Sequence, residues 1–188
     1  VVRRILRSDN LLAVRKRKFV VTTDSKHPFK IYSNLAQYVK VETVNQLWVA
    51  DMTYIRLGRE FVYLAVVLDV FSRKVVGWSL GRSLHSTLPL AALDQALLSR
   101  KPQGGLVHHS DRGSQYASDD YVKRLEAHGI TASMSRPARP WENGYCESFI
   151  NTLKSEEITC RIYSTLEELK SNITDFIERY YNRERLHS

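Results

Sequence analysis

Residues 61–68 form an unbroken apolar run, Phe-Val-Tyr-Leu-Ala-Val-Val-Leu. A run this short cannot span a bilayer, which takes roughly 18 apolar residues or more. Flanked by turn residues, it reads as a strand buried on both faces and therefore central in a sheet. Its neighbours fit that reading. Residues 47–56 alternate as a strand, Gly58 marks a turn, 61–70 form the central strand, and 74–80 a third. Short turns between the three predict an antiparallel meander. The period then changes. Leu90, Leu93 and Leu97 predict a helix over 84–99. A strand follows at 106–109, a helix at 119–128, a strand at 131–134 and a loop at 135–141. A helix at 143–157 has Asn143 as its N-cap, and one at 164–181 opens with Ser164-x-x-Glu167 as a capping box. Strands mixed with helices predict an α/β fold, a mixed sheet with helices on its faces.

Charge divides the chain differently. The first 40 residues carry ten Lys/Arg against two Asp/Glu, while the remainder is balanced. Arg15, Lys16, Arg17 and Lys18 lie at the centre of the excess. Residues 13–46 have weak periodicity and read as a connector, so 1–46 is expected to be a basic extension and 47–188 the folded core. A basic arm on a neutral body suggests a polyanion, most simply nucleic acid; a solvated linker is the bland alternative. A content of 43% hydrophobic and 26% charged residues excludes a disordered or low-complexity chain. Two cysteines build no disulfide framework, which points to a reducing cytoplasm. The chain opens on Val1 and stops at Ser188 inside a helical pattern, so we read it as a piece of a longer protein, truncated at its C-terminus.

Three carboxylates carry the chemistry. Asp51 stands among apolar residues in Trp48-Val49-Ala50-Asp51-Met52-Thr53-Tyr54-Ile55. A charge there is costly unless paired or metal-bound. Asp111 follows the fourth strand in His108-His109-Ser110-Asp111-Arg112-Gly113, where α/β sheets place their sites. Glu147 lies on the helix from Asn143, with Asn151 and Lys154 at i+4 and i+7. Each alone has an ordinary reading: a salt-bridged Asp, a turn Asp, a solvated helix face. Converging at one end of a sheet, they would repel unless cations sat among them. Hard oxygen ligands select Mg²⁺ or Mn²⁺. Two such ions support in-line phosphoryl transfer. No zinc-like His/Cys spacing exists, and Cys146 has no evident histidine partner.

These residues resemble the catalytic core of DDE transposases and retroviral integrases, a ribonuclease-H-like fold. Thirty-five residues separate Asp111 from Glu147, as in the D-D-35-E pattern, and Lys154 fills the basic position seven residues on. The words around Asp51 and Asp111, together with Leu68-Asp69-Val70-Phe71-Ser72-Arg73, Glu147-Ser148-Phe149 and Tyr181-Asn182-x-x-Arg185, are similar to bacterial insertion-sequence transposases of the IS-three type, in which a second reading frame (OrfB) supplies the catalytic part. The resemblance implies a DNA transposase that cleaves strands and transfers them at element ends. It implies two Mg²⁺ ions (replaceable by Mn²⁺) on Asp51, Asp111 and Glu147. It further implies DNA contacts from Lys154, Arg136 and Arg139 and from the basic residues 15–18. His109 and Asn143 are expected beside the carboxylates. Partners are then terminal-repeat and target DNA and a second copy of the chain, with no membrane, in the bacterial cytoplasm on the nucleoid. Residues 1–40 look like the tail of an upstream helix-turn-helix region. Glu142 departs from the Asp that many relatives carry before the catalytic helix. A domesticated DNA-binding protein without catalysis and a structure-selective nuclease are the rival readings.

Overall fold

A computed structural model describes residues 27–136 and 139–186. The three meander strands are β1 (Leu47–Leu57), β2 (Glu60–Asp69) and β3 (Val75–Gly81). They are followed by α1 (Thr87–Arg100), β4 (Val107–Ser110), the short α2 (Ser114–Ala117), α3 (Asp119–Ala127) and β5 (Thr131–Met134). Helix α4 (Gly144–Leu153) runs into a π-helical turn at Lys154–Ile158. Helix α5 (Leu166–Asp175) runs into a longer π-helical stretch at Phe176–Glu184. The sheet order is β3-β2-β1-β4-β5. Strands β1, β2 and β3 pair antiparallel, and β4 and β5 join parallel to β1. As the apolar run predicted, β2 is interior, and Val62 and Leu64 to Leu68 are all buried.

The period-two alternation of β1 divides the core. Leu47, Val49 and Ile55 face a layer built from α4, α5 and the final π stretch, including Phe149, Leu153, Ile173 and Ile177. Trp48 and Ala50 face the other layer, where Ala92, Leu93 and Ala96 of α1 meet Tyr121 and Leu125 of α3. Gly77 lets α1 lie directly on β3. A Cβ there would run into the main-chain oxygen of Ala92 and fall 2.7 Å from the nitrogen of Ala96. Because only backbone could yield, Gly77→Ala should cost about 3 kcal/mol, read as a lowered urea midpoint at unchanged m-value.

The free edge of β3 is met by side chains instead of another strand. Asn182 Oδ1 accepts from Val75 N and Asn182 Nδ2 donates to Val75 O, both at 2.9 Å. Gln95 Oε1 accepts from Trp78 N, and Ser99 Oγ donates to Val76 O. The last turns are locked as well. Arg185 Nη1 donates to both oxygens of Glu156, and Tyr180 OH donates to the same carboxylate.

Several local expectations change. The helix expected over 143–157 keeps its length but switches to π geometry at Lys154, where Thr159 N closes on Lys154 O. The capping box sits one residue later: Thr165 Oγ1 accepts from Glu168 N, and Glu168 Oε2 accepts from Ser164 N. The loop at 135–141 contains the start of a 3-10 turn, Pro140–Asn143, and α2 was not anticipated. The connector is not detached over its described part. Residues 27–46 contain one 3-10 turn, Ala36–Tyr38, and lie on the core through Phe29, Tyr32, Ala36, Val39 and Val41. The basic residues 15–18 lie outside the described residues. No helix among the described residues is long and apolar enough to cross a membrane.

Candidate active site

Parallel pairing of β1 with β4 sets the first two carboxylates. The register matches Trp48 with His108 and Val49 with His109. Continued by two residues, it brings Asp51 level with Asp111 just beyond the end of β4. Asp51 shares its strand face with Leu47 and Val49, the face that α4 covers, and α4 carries Glu147. Three elements distant in sequence thus direct carboxylates to one end of the sheet.

Their electrostatics confirm that they feel one another. Asp51 sits deep among protein atoms with part of its surface open, and its carboxyl is pushed up to about 7. Burial is the largest cause, followed by the Asp111 charge and, less strongly, that of Glu147; the Met52 N–H and the Lys154 ammonium oppose them. Asp111 Oδ1 accepts from Gly113 N at 2.9 Å, and Asp51 Oδ1 from Met52 N at 2.7 Å. Glu147 is exposed on a shallow cleft along α4. The donor set, hard oxygens under mutual repulsion, fits a divalent cation such as Mg²⁺. The side chains as they stand do not close into a cage: among the described residues, no three His, Cys, Asp or Glu are near enough together to hold an ion. Asp69 shows the contrast. It is fully buried, but its oxygens take Asn45 N, Ser72 N and Ser72 Oγ at 2.7 Å, so it staples two turns together.

Lys154 is the first residue of the π turn. Its Nζ lies 4.9 Å from the Tyr54 ring centroid, and its charge acts on Asp51. Burial lowers its pKa, and Asp51 works to restore it. Asn143 departs from its expected role. Its side chain makes no cap; Nδ2 donates 3.0 Å to Ala50 O and so grips β1 one residue before Asp51. His109 is buried, with Nδ1 2.8 Å from Ser133 Oγ. That hydroxyl already accepts from Leu35 N and Ala36 N, so its proton goes to Nδ1 and the imidazole carries its own on Nε2. Burial lowers the His109 pKa against the opposing Glu142 charge, which keeps the ring neutral. His109, two residues before Asp111, therefore braces β4 against β5 and the chain at residues 35–36.

The residue whose importance sequence reasoning missed is Glu142, noted only as a departure. Its side chain is nearly buried and takes Arg136 N, Arg136 Nε and Arg136 Nη2 at 2.6–2.7 Å, with Asn34 Nδ2 at 2.9 Å. Arg136 is thereby fastened into the loop, with its side chain still 45% exposed. Arg139 approaches Glu142 only to 3.8 Å and lies over Trp141. Burial alone would raise the Glu142 carboxyl, but the Arg136 and Asn34 donors hold it down at about 2. The stability this clasp contributes is present above pH 4.5 and lost as pH falls through 2. Glu142→Gln should flatten that acid limb in denaturation curves recorded across pH.

The integrase core domain family matches residues 42–140, and a second profile of the same description matches 128–188. An insertion element IS600 protein of 31 kDa from Shigella sonnei is 39% identical over 98% of this chain and 68% of its own length. The transposase InsF of insertion sequence IS3A from Escherichia coli K12 is 37% identical over 97% of this chain and 64% of its own. This chain thus spans about two thirds of such relatives. The HTLV-2 integrase catalytic core, solved with magnesium in a dimeric form, shares the fold with a TM-score of 0.55 at 20% identity, over 77% of this chain and 91% of that one. With matches across nearly its whole length, the chain belongs to the integrase core domain family, close to the insertion-sequence transposases of the IS3 type.

Proposed function

We propose that this chain is the catalytic core of a DNA transposase, a polynucleotidyl transferase that cuts element ends and joins them to new DNA. The observation that carries the reading is the parallel register of β1 and β4, which sets Asp51 level with Asp111 on the face that α4 and its Glu147 cover; consistent with it, burial and the charges of Asp111 and then Glu147 raise the Asp51 carboxyl to about 7. Such a group is costly in an idle surface and useful beside a cation. Asp51, Asp111 and Glu147 would hold the divalent ions, Mg²⁺ or Mn²⁺. Two bound ions would supply charge stabilisation for the attacking and leaving oxygens. Lys154, half-buried beside Asp51, would meet a phosphate near the cut bond and orient the strand. Arg139 and the basic residues 15–18 would add backbone contacts, while Arg136 serves by bracing the loop. Asn143 would hold β1 beside Asp51, and His109 would brace β4 against β5 just before Asp111.

In the reaction, water attacks a phosphodiester and frees a 3′-hydroxyl. That hydroxyl attacks a second phosphodiester, so one P–O bond replaces another and no protein nucleophile is consumed. The whole protein would act as a homo-oligomer on paired terminal repeats, in the bacterial cytoplasm on nucleoid DNA. The test is to incubate the chain with Mn²⁺ or Mg²⁺ and a branched DNA mimicking a joined product. The expected result is resolution into two duplexes, the reverse of joining, together with transfer of a labelled 3′ end to a second DNA. Cleavage without any joining would replace this reading with a nuclease. DNA binding without either reaction, in both metals and in the full-length protein, would replace it with a non-catalytic binder.

A further inference from the structure

Three segments singled out in the sequence meet at a cavity of about 110 Å³ that the proposed reaction does not use. Its polar wall is made by Arg73, Ser148, Thr152, Tyr181 and Arg185. Arg73 ends the segment 68–73, Ser148 follows Glu147 on α4, and Tyr181 and Arg185 belong to the closing segment. Each of these side chains can donate a hydrogen bond, and two carry a positive charge. Among the described residues, no carboxylate lines the cavity. Both guanidinium groups act on one point: burial pushes the Tyr181 hydroxyl up to about 12, and the charges of Arg185 and Arg73 oppose that rise.

The first of these arginines is held in place at a cost. The φ of Arg73 is 60°, in the left-handed region that a residue with a side chain occupies only where its surroundings hold it. The buried Asp69 supplies that hold, accepting from the N–H and hydroxyl of the preceding Ser72. The Arg73 guanidinium then lies 4.2 Å from the Tyr145 ring centroid, and among the described residues it meets no carboxylate at ion-pair distance. Arg185 commits Nη1 to Glu156 and Tyr180, which leaves its Nε and Nη2 uncommitted among the described residues. Such planar forks of donors match the oxygens of a phosphate. The cavity shares Ser148 and Thr152 with the shallow cleft that carries Glu147, so a strand lying along α4 would run past both. We propose that this cavity seats one phosphate group, held by Arg73 together with Arg185 and the Ser148 hydroxyl. The inference rests on the DNA-processing reading above and deepens it. A backbone phosphate seated there would fix the strand at a second point on α4, besides Lys154.

The test measures binding of the 188-residue chain to a fluorescently labelled duplex across a salt series, in EDTA so that nothing is cut. Each phosphate contact adds about 0.9 to the steepness of log affinity against log salt. Arg73→Gln should remove about that much, Arg73→Lys should keep it, and both should melt as the wild type does. Ser148→Asp leaves both arginines in place but puts a negative charge at the cavity, and it should flatten the line as well. Lys123→Gln, which removes an exposed charge from α3, should not. A second arm identifies the source of the phosphate: melting curves are recorded in inorganic phosphate and in chloride at equal ionic strength. Flattening confined to the cavity variants assigns the site to backbone phosphate of DNA. An unchanged salt dependence, with a phosphate-dependent rise in melting temperature that Arg73→Gln loses, assigns it to free phosphate. Identical behaviour of wild type and cavity variants in both arms overturns the proposal, and so does equal flattening in Lys123→Gln. Joining activity with neither effect sinks the cavity assignment alone; flattening confined to the cavity variants without joining or cleavage sinks the transposase reading alone.

Discussion

Asp51→Asn should abolish strand joining while making the metal-free protein more stable. The two effects have opposite signs because the same charge is responsible for both. Asp51 lies on β1, Asp111 just beyond β4 and Glu147 on α4, and the Asp51 carboxyl is raised to about 7 by burial and by the charges of the other two. Without a cation, ionised Asp51 destabilises the fold. Asparagine keeps the acceptor for Met52 N but removes the charge. Above pH 7 in EDTA, the variant should gain roughly 1 kcal/mol, the equivalent of about one pKa unit of relieved repulsion. Joining should fall on the order of a thousandfold, since several kcal/mol of transition-state stabilisation is lost. Added Mn²⁺ should raise the melting temperature of the wild type and leave the variant unmoved. Parallel melting and joining assays, with Glu147→Gln as a second variant, check both halves. A variant that joins DNA normally would remove Asp51 from the site.

Phe149→Ala should cost about 4 kcal/mol, a large share of what a domain of this size has to lose. Phe149 is fully buried two residues after Glu147 on α4. Its ring meets Tyr181 edge-on, with centroids 4.7 Å apart, and it belongs to the layer shared by β1, α4 and the terminal π stretch. Truncation leaves a cavity that neither a strand nor a packed helix can fill. Urea unfolding should show it directly, and Phe149→Leu should lose well under half as much. A loss below about 1 kcal/mol would mean that α4 is not anchored here, and so would leave the placement of Glu147 without support.

What was readable in the sequence follows from how far each force reaches. Residues 61–68 announced an interior strand because burial on both faces leaves no place for polar residues. Asp51 and Asp111 were readable as partners from the spacing and words shared with a known family, but the parallel pairing of β1 with β4 that sets them level appears only in the fold. The capping bond expected of the Asn143 side chain is absent because that amide goes to Ala50 O, 93 residues away and out of reach of local propensity. Glu142 looked like a lengthened side chain, and only folding brings Arg136 and Asn34 around it. The capping box slipped by one because Ser164 and Thr165, like Glu167 and Glu168, are adjacent and chemically alike. The π-helical turns escaped because a helix that closes one residue wider keeps nearly the same apolar stripe. The words Tyr181-Asn182-x-x-Arg185 resembled a family signature without disclosing their task; in the fold, Asn182 reaches β3 and Arg185 holds Glu156.

That reach has a consequence for how copies of the protein can meet. A bare outer strand is a template on which another chain can crystallise its own backbone, and many proteins aggregate or assemble by that route. Along β3 the outward groups of Val75, Val76 and Trp78 are already occupied by Asn182, Ser99 and Gln95. A visiting strand would have to displace those side chains to pair with residues 75–78. Over its first half, β3 is thus closed to strand addition, and a copy approaching that edge would meet the side chains of α1 and of the final π stretch before any backbone.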